Sequence, residues 1–478
     1  MVSPTLKSPS LLRRLYRSVG RAAVIVATAS SVLLVPAATQ AQDEAPTTVL
    51  DTEISAILHK ECDPIFIAAG LDPKHVTIVI VEHLFNAAAA NGQLLFIGTD
   101  LIEKTDNPNQ LIGVIAHETG HAAGGHTLRS GEMTKAGLAP YILTMGLGIL
   151  AAIAGAGGAG MALMSSAGQF GTLGALGYSR EQEARADQAA ITYLEKAHES
   201  AKGLVDFFDN FRYEEVFSEV RRYKFFNDHP ITGDRIEALR QRAEEQPHYN
   251  TVDSPELVTE HEIMKAKLVG FTEAPQTAFF KYKPDDHSFV ARYARAIAYY
   301  RQTDTDQALK NINSLLTDYP ANPYLWELKG QVLFEAGKSA DAEVAHQKSV
   351  DLKPDAPLLR INLAQAMMAQ DAGKRADDAL VQLKKAVALD SDDQDGGNSP
   401  AYRLMAQAYD AKGDGGDARL ATAEERFSVG DMTQARIFAM RAREMLKQNS
   451  AEWRRATDIV LVASPSGGDL NALARKTG

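Results

Sequence analysis

The stretch LIGVIAHETGHAAGGHTLRSGE, residues 111–132, places His117, Glu118 and His121 in the spacing H-E-x-x-H, with His126 following. On a helix, residues four apart lie one turn apart on the same face, so the two imidazoles can bind one zinc ion. Glu118 falls beside them, in reach of a water that the metal makes acidic. Its carboxylate can take that water's proton for attack on an amide carbonyl. The chemistry implied is hydrolysis of a peptide bond. Three fixed residues also occur by chance, but this copy lies on a predicted amphipathic helix behind a strand hairpin, in a chain with an export signal.

A catalytic zinc needs a third protein ligand. The longer pattern H-E-x-x-H-x-x-G-x-x-H finds its glycine at Gly124, but its last position is Thr127. His126 misses by one residue, which turns it about 100° round the helix, and reads as a packing or hydrogen-bonding residue. SREQEARAD supplies Glu181, Glu183 and Asp187 instead. Glu183 and Asp187 are four apart and share a face. One can bind the metal while the other orients a ligand histidine from behind. The residues by themselves do not choose between them, and Glu181 stays open. His229, just before Pro230, either caps the next helix or reaches the metal, since neutral imidazole is a good zinc ligand.

Several elements must position these groups. Asn107-Pro108-Asn109 supplies a turn and N-cap for the H-E-x-x-H helix, and Leu111, Ile112, Ile115 and Ala116 are its apolar stripe. Upstream, SAILHKECDPIFIAAGL (55–71) has helical spacing and VTIVIV (76–81) reads as a buried strand. Asn91-Gly92 signals a tight hairpin that pairs Phe85–Ala90 with Gln93–Gly98 as antiparallel strands. Helical pattern resumes at SREQEARADQAAITYLEKA (179–197) and again near Pro230. SPELVTEHEIMKAKLVGF (254–271) reads as the helix of a connector.

The chain has 478 residues and a net charge of −11, with no basic run in its globular part, which argues against nucleic acid as a partner. The N-terminus is different. MVSPTLKSPSLLRRLYRSVGR carries only positive charges, AAVIVATASSVLLVPAA is apolar, and small residues follow, with cleavage after Ala41 fitting best. This is the pattern of a secretory signal peptide. The single cysteine, Cys62, leaves no internal disulfide, and export without disulfides points to a bacterial envelope compartment. Residues 136–179 carry no charge, and YILTMGLGILAAIAGAGGAGMALM within them is long enough to span a bilayer. Their glycines leave two readings, a membrane-associating or reentrant hairpin and an apolar flap over the site.

Beyond residue 286 the chain repeats. Pro320 and Pro354 share a 34-residue register, with Ala296, Tyr299 and Ala308 in one unit and Trp326, Gly330, Leu333, Gly337 and Ala342 in the next. This is the signature of tetratricopeptide repeats, helix pairs locked by small residues. A longer third unit and two degenerate ones follow, to Ala442.

The motifs NAAAANGQLLFIGTDLI, VIAHETGHAAGGH, YSREQEARAD and HPITGDRI, followed by such repeats, resemble the BepA-like periplasmic metalloproteases of the HtpX-type gluzincin peptidases. The resemblance implies Zn2+ as cofactor, Glu183 as third ligand and Asp187 behind the ligands. The H-P-x-T-x-x-R-I pattern falls on His229 and Arg235, and implies that His229 can approach the metal and hold the enzyme latent. The substrate-binding edge strand falls on Asn86, Ala87, Ala88 and Ala89, where an alanine replaces the family's aromatic residue. The implied substrates are misassembled outer-membrane proteins, and the implied partner is the barrel-assembly machinery. The expected fold is α+β: a mainly helical gluzincin-type domain with a small antiparallel sheet, then an α-solenoid. The expected division is signal peptide 1–41, metalloprotease domain 42–250, connector 251–285, repeats 286–450 and tail 451–478. The rival function is a chaperone or assembly factor acting through the repeats.

Overall fold

The computed structural model describes residues 48–90, 94–123, 180–212, 229, 232–389 and 398–463. The expected signal peptide, the Asn91-Gly92 turn, His126 and the uncharged stretch 136–179 lie outside the described residues. Among the described residues, no helix is long and apolar enough to cross a membrane.

Among the described residues four short strands make one sheet: β1 (Thr48–Val49), β2 (Thr77–Val81), β3 (Ala87–Ala90) and β4 (Leu94–Gly98), in the order β1-β2-β4-β3. β3 and β4 pair antiparallel, Ala87 opposite Ile97 and Ala90 opposite Leu94. That is the expected hairpin, begun two residues later than Phe85. The sheet as a whole is mixed, not antiparallel, because β2 lies parallel to β4. The chain reverses once entering β3 and again entering β4, so β2 and β4 point the same way. Ile78, Ile80, Leu95 and Ile97 face the main core, while Val79, Val81 and Phe96 pack together on the other face. This two-sided burial is why the strand residues are apolar almost without interruption.

The helix carrying the H-E-x-x-H motif is α3 (Pro108–Ala123); before it come α1 (Thr52–Ala68) and α2 (Thr99–Lys104). Asn107 Oδ1 accepts from the Gln110 amide at 3.0 Å, and Gln110 Oε1 accepts from the Asp106 amide at 2.8 Å. These reciprocal bonds satisfy N–H groups that a helix start leaves open. Every residue from Pro108 to Ala122 is buried. The expected amphipathic helix is therefore the centre of the core, with β3, α1, α4 (Arg180–Lys196), α5 (Lys202–Arg212) and α7 (Pro255–Thr272) against it. Each fully buried side chain such as Leu111 or Ile115 contributes about 1.5–3 kcal/mol.

Two glycines set how close the neighbours come. A Cβ on Gly120 would stand 2.8 Å from the Ala186 carbonyl oxygen in α4, and one on Gly113 would stand 2.8 Å from Leu204 Cβ in α5. Both helices thus approach α3 at backbone distance, and α4 brings Glu183 and Asp187 with it.

The helix expected as a connector, α7, is built into the core. Met264 and Leu268 join the main cluster, and His261 lies 3.0 Å from both Glu61 of α1 and Thr105. After α8 (Pro275–Lys281) come ten helices among the described residues, each packed on the next. They are α9 (Phe289–Arg301), α10 (Thr305–Asp318), α11 (Pro323–Glu335), α12 (Ser339–Leu352), α13 (Pro357–Met368), α14 (Ala372–Leu389), α15 (Asn398–Lys412), α16 (Gly415–Ser428), α17 (Met432–Met445) and α18 (Ala451–Val462). Ala296, Ala308, Ala342, Ala379 and Ala435, small residues of the repeat register, are fully buried where helices meet. In α18, Ala456 and Ile459 pack with Ala439 and Ala442 of α17, so residues 451–462 are a helix of the solenoid where a tail was expected.

Candidate metal centre

His117 and His121 lie one turn apart on α3, as their spacing requires, and both are buried. Glu183 reaches them from α4, and His229 enters from ahead of α6 (Gly233–Glu244). One ligand atom from each of these four residues lies within 4.8 Å of the others. The individual separations are shorter. His117 Nε2 is 3.1 Å from His121 Nε2, 3.5 Å from Glu183 Oε2 and 3.4 Å from His229 Nδ1. Glu183 Oε1 is 3.4 Å from His121 Nε2 and 3.2 Å from His229 Nδ1.

These distances fit a metal ion at the centre. A tetrahedral zinc with bonds of about 2.0–2.1 Å separates its ligand atoms by about 3.3 Å. The donor chemistry agrees, since imidazole nitrogen and carboxylate oxygen are zinc ligands. Two imidazole lone pairs facing each other at 3.1 Å repel unless a proton or a cation lies between them.

The charges around the cluster are organised from behind. Asp187 Oδ1 lies 2.9 Å from His117 Nδ1. Arg235, on α6, donates to Asp187 through Nε at 2.8 Å and Nη2 at 2.7 Å, and pairs Nη1 with Glu183 Oε2 at 2.8 Å. Arg235, on which the H-P-x-T-x-x-R-I pattern falls, thus rests its guanidinium on the two carboxylates. Phe208 of α5 closes this corner, with Arg235 4.8 Å above its ring and His117 edge-on at 5.9 Å.

Burial works against charge on all these groups, and pairing decides which way each moves. For His117 burial is outweighed by Asp187 and Glu183, which hold its pKa up at about 9. For His121 burial prevails over Glu183, with His117 and His229 adding repulsion, and its pKa falls to about 3. Burial would raise Glu183, but the three histidines hold it well below the carboxylate range. Burial would likewise raise Asp187, but Arg235 and His117 bring it down to about 2. The carboxylates are thus ionised and His121 is neutral, while His117 holds a proton that a binding metal ion would have to displace.

Glu118 is 2% exposed and lies 3.3 Å from His229 Nε2. His229 therefore stands between the donor cluster and the expected base, one ring nitrogen toward each. Asn86, Ala87, Ala88 and Ala89 lie at and within β3, the strand at the edge of the sheet and against α3. Glu181 lies on α4 half a turn from Glu183. The sequence reading missed Phe208, an aromatic in an ordinary helical pattern, and Gly120, whose place inside the H-E-x-x-H motif was the available signal.

Residues 53–243 match the sequence model of Peptidase family M48. The chain is 25% identical over 394 residues to the Beta-barrel assembly-enhancing protease of Yersinia pestis, covering 80% of this chain and 77% of that one. The protein of the same name from Escherichia coli (strain K12) is 24% identical over 390 residues, with the same shares covered. The Escherichia coli (strain K12) metalloprotease LoiP is 29% identical over 170 residues, 36% of this chain and 63% of that one.

Proposed function

We propose, for a chain that is a metalloprotease with a peptidase family M48 domain at residues 53–243, that it is a zinc-dependent endopeptidase of the bacterial periplasm. Its substrates are misassembled outer-membrane proteins, and its repeats bind substrate or partner. The observation that carries the reading is the convergence of His117, His121 and Glu183 on one point inside the core. The name of the relatives in Yersinia pestis and Escherichia coli supports β-barrel proteins as the substrate class and the barrel-assembly machinery as partner. The basic and apolar N-terminal stretch supports export.

His117, His121 and Glu183 would hold the ion, and Asp187 with Arg235 would keep His117 and Glu183 at their angles. Zinc bound there supplies Lewis acidity, polarising a carbonyl and making water acidic near neutral pH. Glu118 takes the proton of the attacking water and returns it to the leaving amine. The backbone of β3 pairs with an extended substrate, as edge strands do. His229, facing both the donors and Glu118, fills the place of the attacking water, so the resting enzyme is latent until His229 withdraws.

Cleavage of unfolded casein by the zinc-loaded protein tests this. Glu118→Gln should keep fold and zinc and lower the rate at least about a hundredfold, the contribution of a positioned general base. Undiminished cleavage by the variant rejects the mechanism. No cleavage by either protein favours an assembly factor working through the repeats alone.

A further inference from the structure

A cavity of about 240 Å³ lies where the catalytic half meets the repeats, and none of the metal-centre donors lines it. Its walls are the Leu50–Asp51 segment ahead of α1, Lys267 and Phe271 of α7, and the helices α11, α12 and α13. The volume is several times what one water needs.

The lining is polar and short of positive charge. Asp51, Glu327 and Glu335 face one lysine, Lys267. That lysine is already matched, with Nζ 2.8 Å from Asp51 Oδ2 and 3.1 Å from Glu53 Oε2. Glu327 accepts from Asn362 Nδ2 at 3.1 Å, and among the described residues no cation stands within ion-pair distance of it. Burial, opposed by Lys267, pushes its carboxyl up to about 8. A second observation is independent of the acids. His346 lines the same cavity, is 3% exposed, and its Nδ1 has no hydrogen-bond partner. Buried polar atoms are rarely left so.

We propose that this cavity binds a cationic side chain, lysine or arginine, of an extended polypeptide held against the repeats. The proposal rests on the endopeptidase reading and names a feature of the substrate that it leaves open. Glu327 is half-buried and its raised carboxyl holds a proton near neutral pH; a cationic partner that reaches it lets that proton leave and supplies the missing countercharge. Ammonium or guanidinium N–H groups left over meet the side-chain amides of Gln331 and Gln365 and the imidazole of His346. The long apolar stem of either side chain runs past Leu50, Phe271 and Leu328.

The test is fluorescence polarisation with the protein carrying Glu118→Gln, so that the probe is not cut. The probes are a labelled Gly/Ser decapeptide with one central arginine and the same peptide with glutamine there. The arginine peptide should bind at least about tenfold more tightly, a modest return for a close, half-buried charge pair. Adding Glu327→Gln should erase the difference. Equal affinity for the two peptides, binding of neither, or a preference that survives Glu327→Gln overturns the proposal. Should the added variant misfold, the two peptides on the parent protein still decide. Casein cleavage by the unmutated protein is measured separately, so failure of the protease reading is distinguishable from failure of this one.

Discussion

Glu183 faces three imidazoles and a guanidinium at once, and that crowding defines its place. On the proposed reading, removing its carboxylate removes a metal ligand, and it leaves Arg235 with one partner fewer. We predict that Glu183→Ala loses most bound zinc, while Glu181→Ala, half a turn away, keeps it; metal analysis of the purified proteins decides. Asp187→Asn should weaken zinc binding by about 10- to 100-fold, the usual effect of a group that orients a ligand. His229→Ala should raise basal casein cleavage with little change in zinc content. A variant about 10²- to 10³-fold slower with full zinc would instead make His229 a stabiliser of the oxyanion. At this scale the sequence was most legible. His117, Glu118 and His121 announce themselves because helical spacing is local. Glu181, Glu183 and Asp187 could not be ranked from their positions alone, because the choice is made by how α4 meets α3, a tertiary fact.

That meeting depends on two glycines. Gly120 admits α4 and Gly113 admits α5, each at a spacing that leaves no room for a methyl group. Alanine favours a helix by about 0.8–1.0 kcal/mol over glycine, but forced expansion of a packed core costs about 1–3 kcal/mol. Both Gly120→Ala and Gly113→Ala should therefore lower the unfolding midpoint. Only Gly120→Ala should also weaken zinc binding, since it displaces the helix that carries Glu183. A zinc competition titration showing equal affinity in the two variants would count against the role given to the α3–α4 approach. The elements themselves were largely readable: the hairpin from Asn91-Gly92, α3 from its Asn-Pro-Asn start. The order of the sheet was not, because nothing in VTIVIV says that β2 pairs with β4 and runs parallel to it.

Across the whole molecule the catalytic half and the repeats share buried groups. Lys267 of α7 pairs with Asp51 and Glu53 at the start of α1, and Tyr293 of α9 donates to Glu53 Oε2 at 2.8 Å. Burial raises the pKa of Glu53 against the pull of Lys267, so its hydrogen bond from Tyr293 matters. Gly270 of α7 lies under Ile297 of α9. A chain ending at residue 285 uncovers all of this. We predict that it is at least about 2 kcal/mol less stable than one ending at residue 319, after α10, counting the buried hydrogen bond and the packed side chains lost. Equal denaturation midpoints and slopes would show that the catalytic half folds without the first helix pair. The repeat register was plain in the sequence. The coupling was not, since Glu53 and Tyr293 are 240 residues apart and α7 reads as an ordinary linker helix.

The same hydrogen bond bears on timing. The chain is made from its N-terminus, so His117, His121 and Glu183 are available long before Tyr293. Closing a contact over 240 residues is slow and comes late. Until α9 arrives, the start of α1 keeps its charges in water and the core around the metal helix lacks one wall. The protease is finished only after the first repeat helix has been made, so an interrupted chain leaves behind an incomplete enzyme.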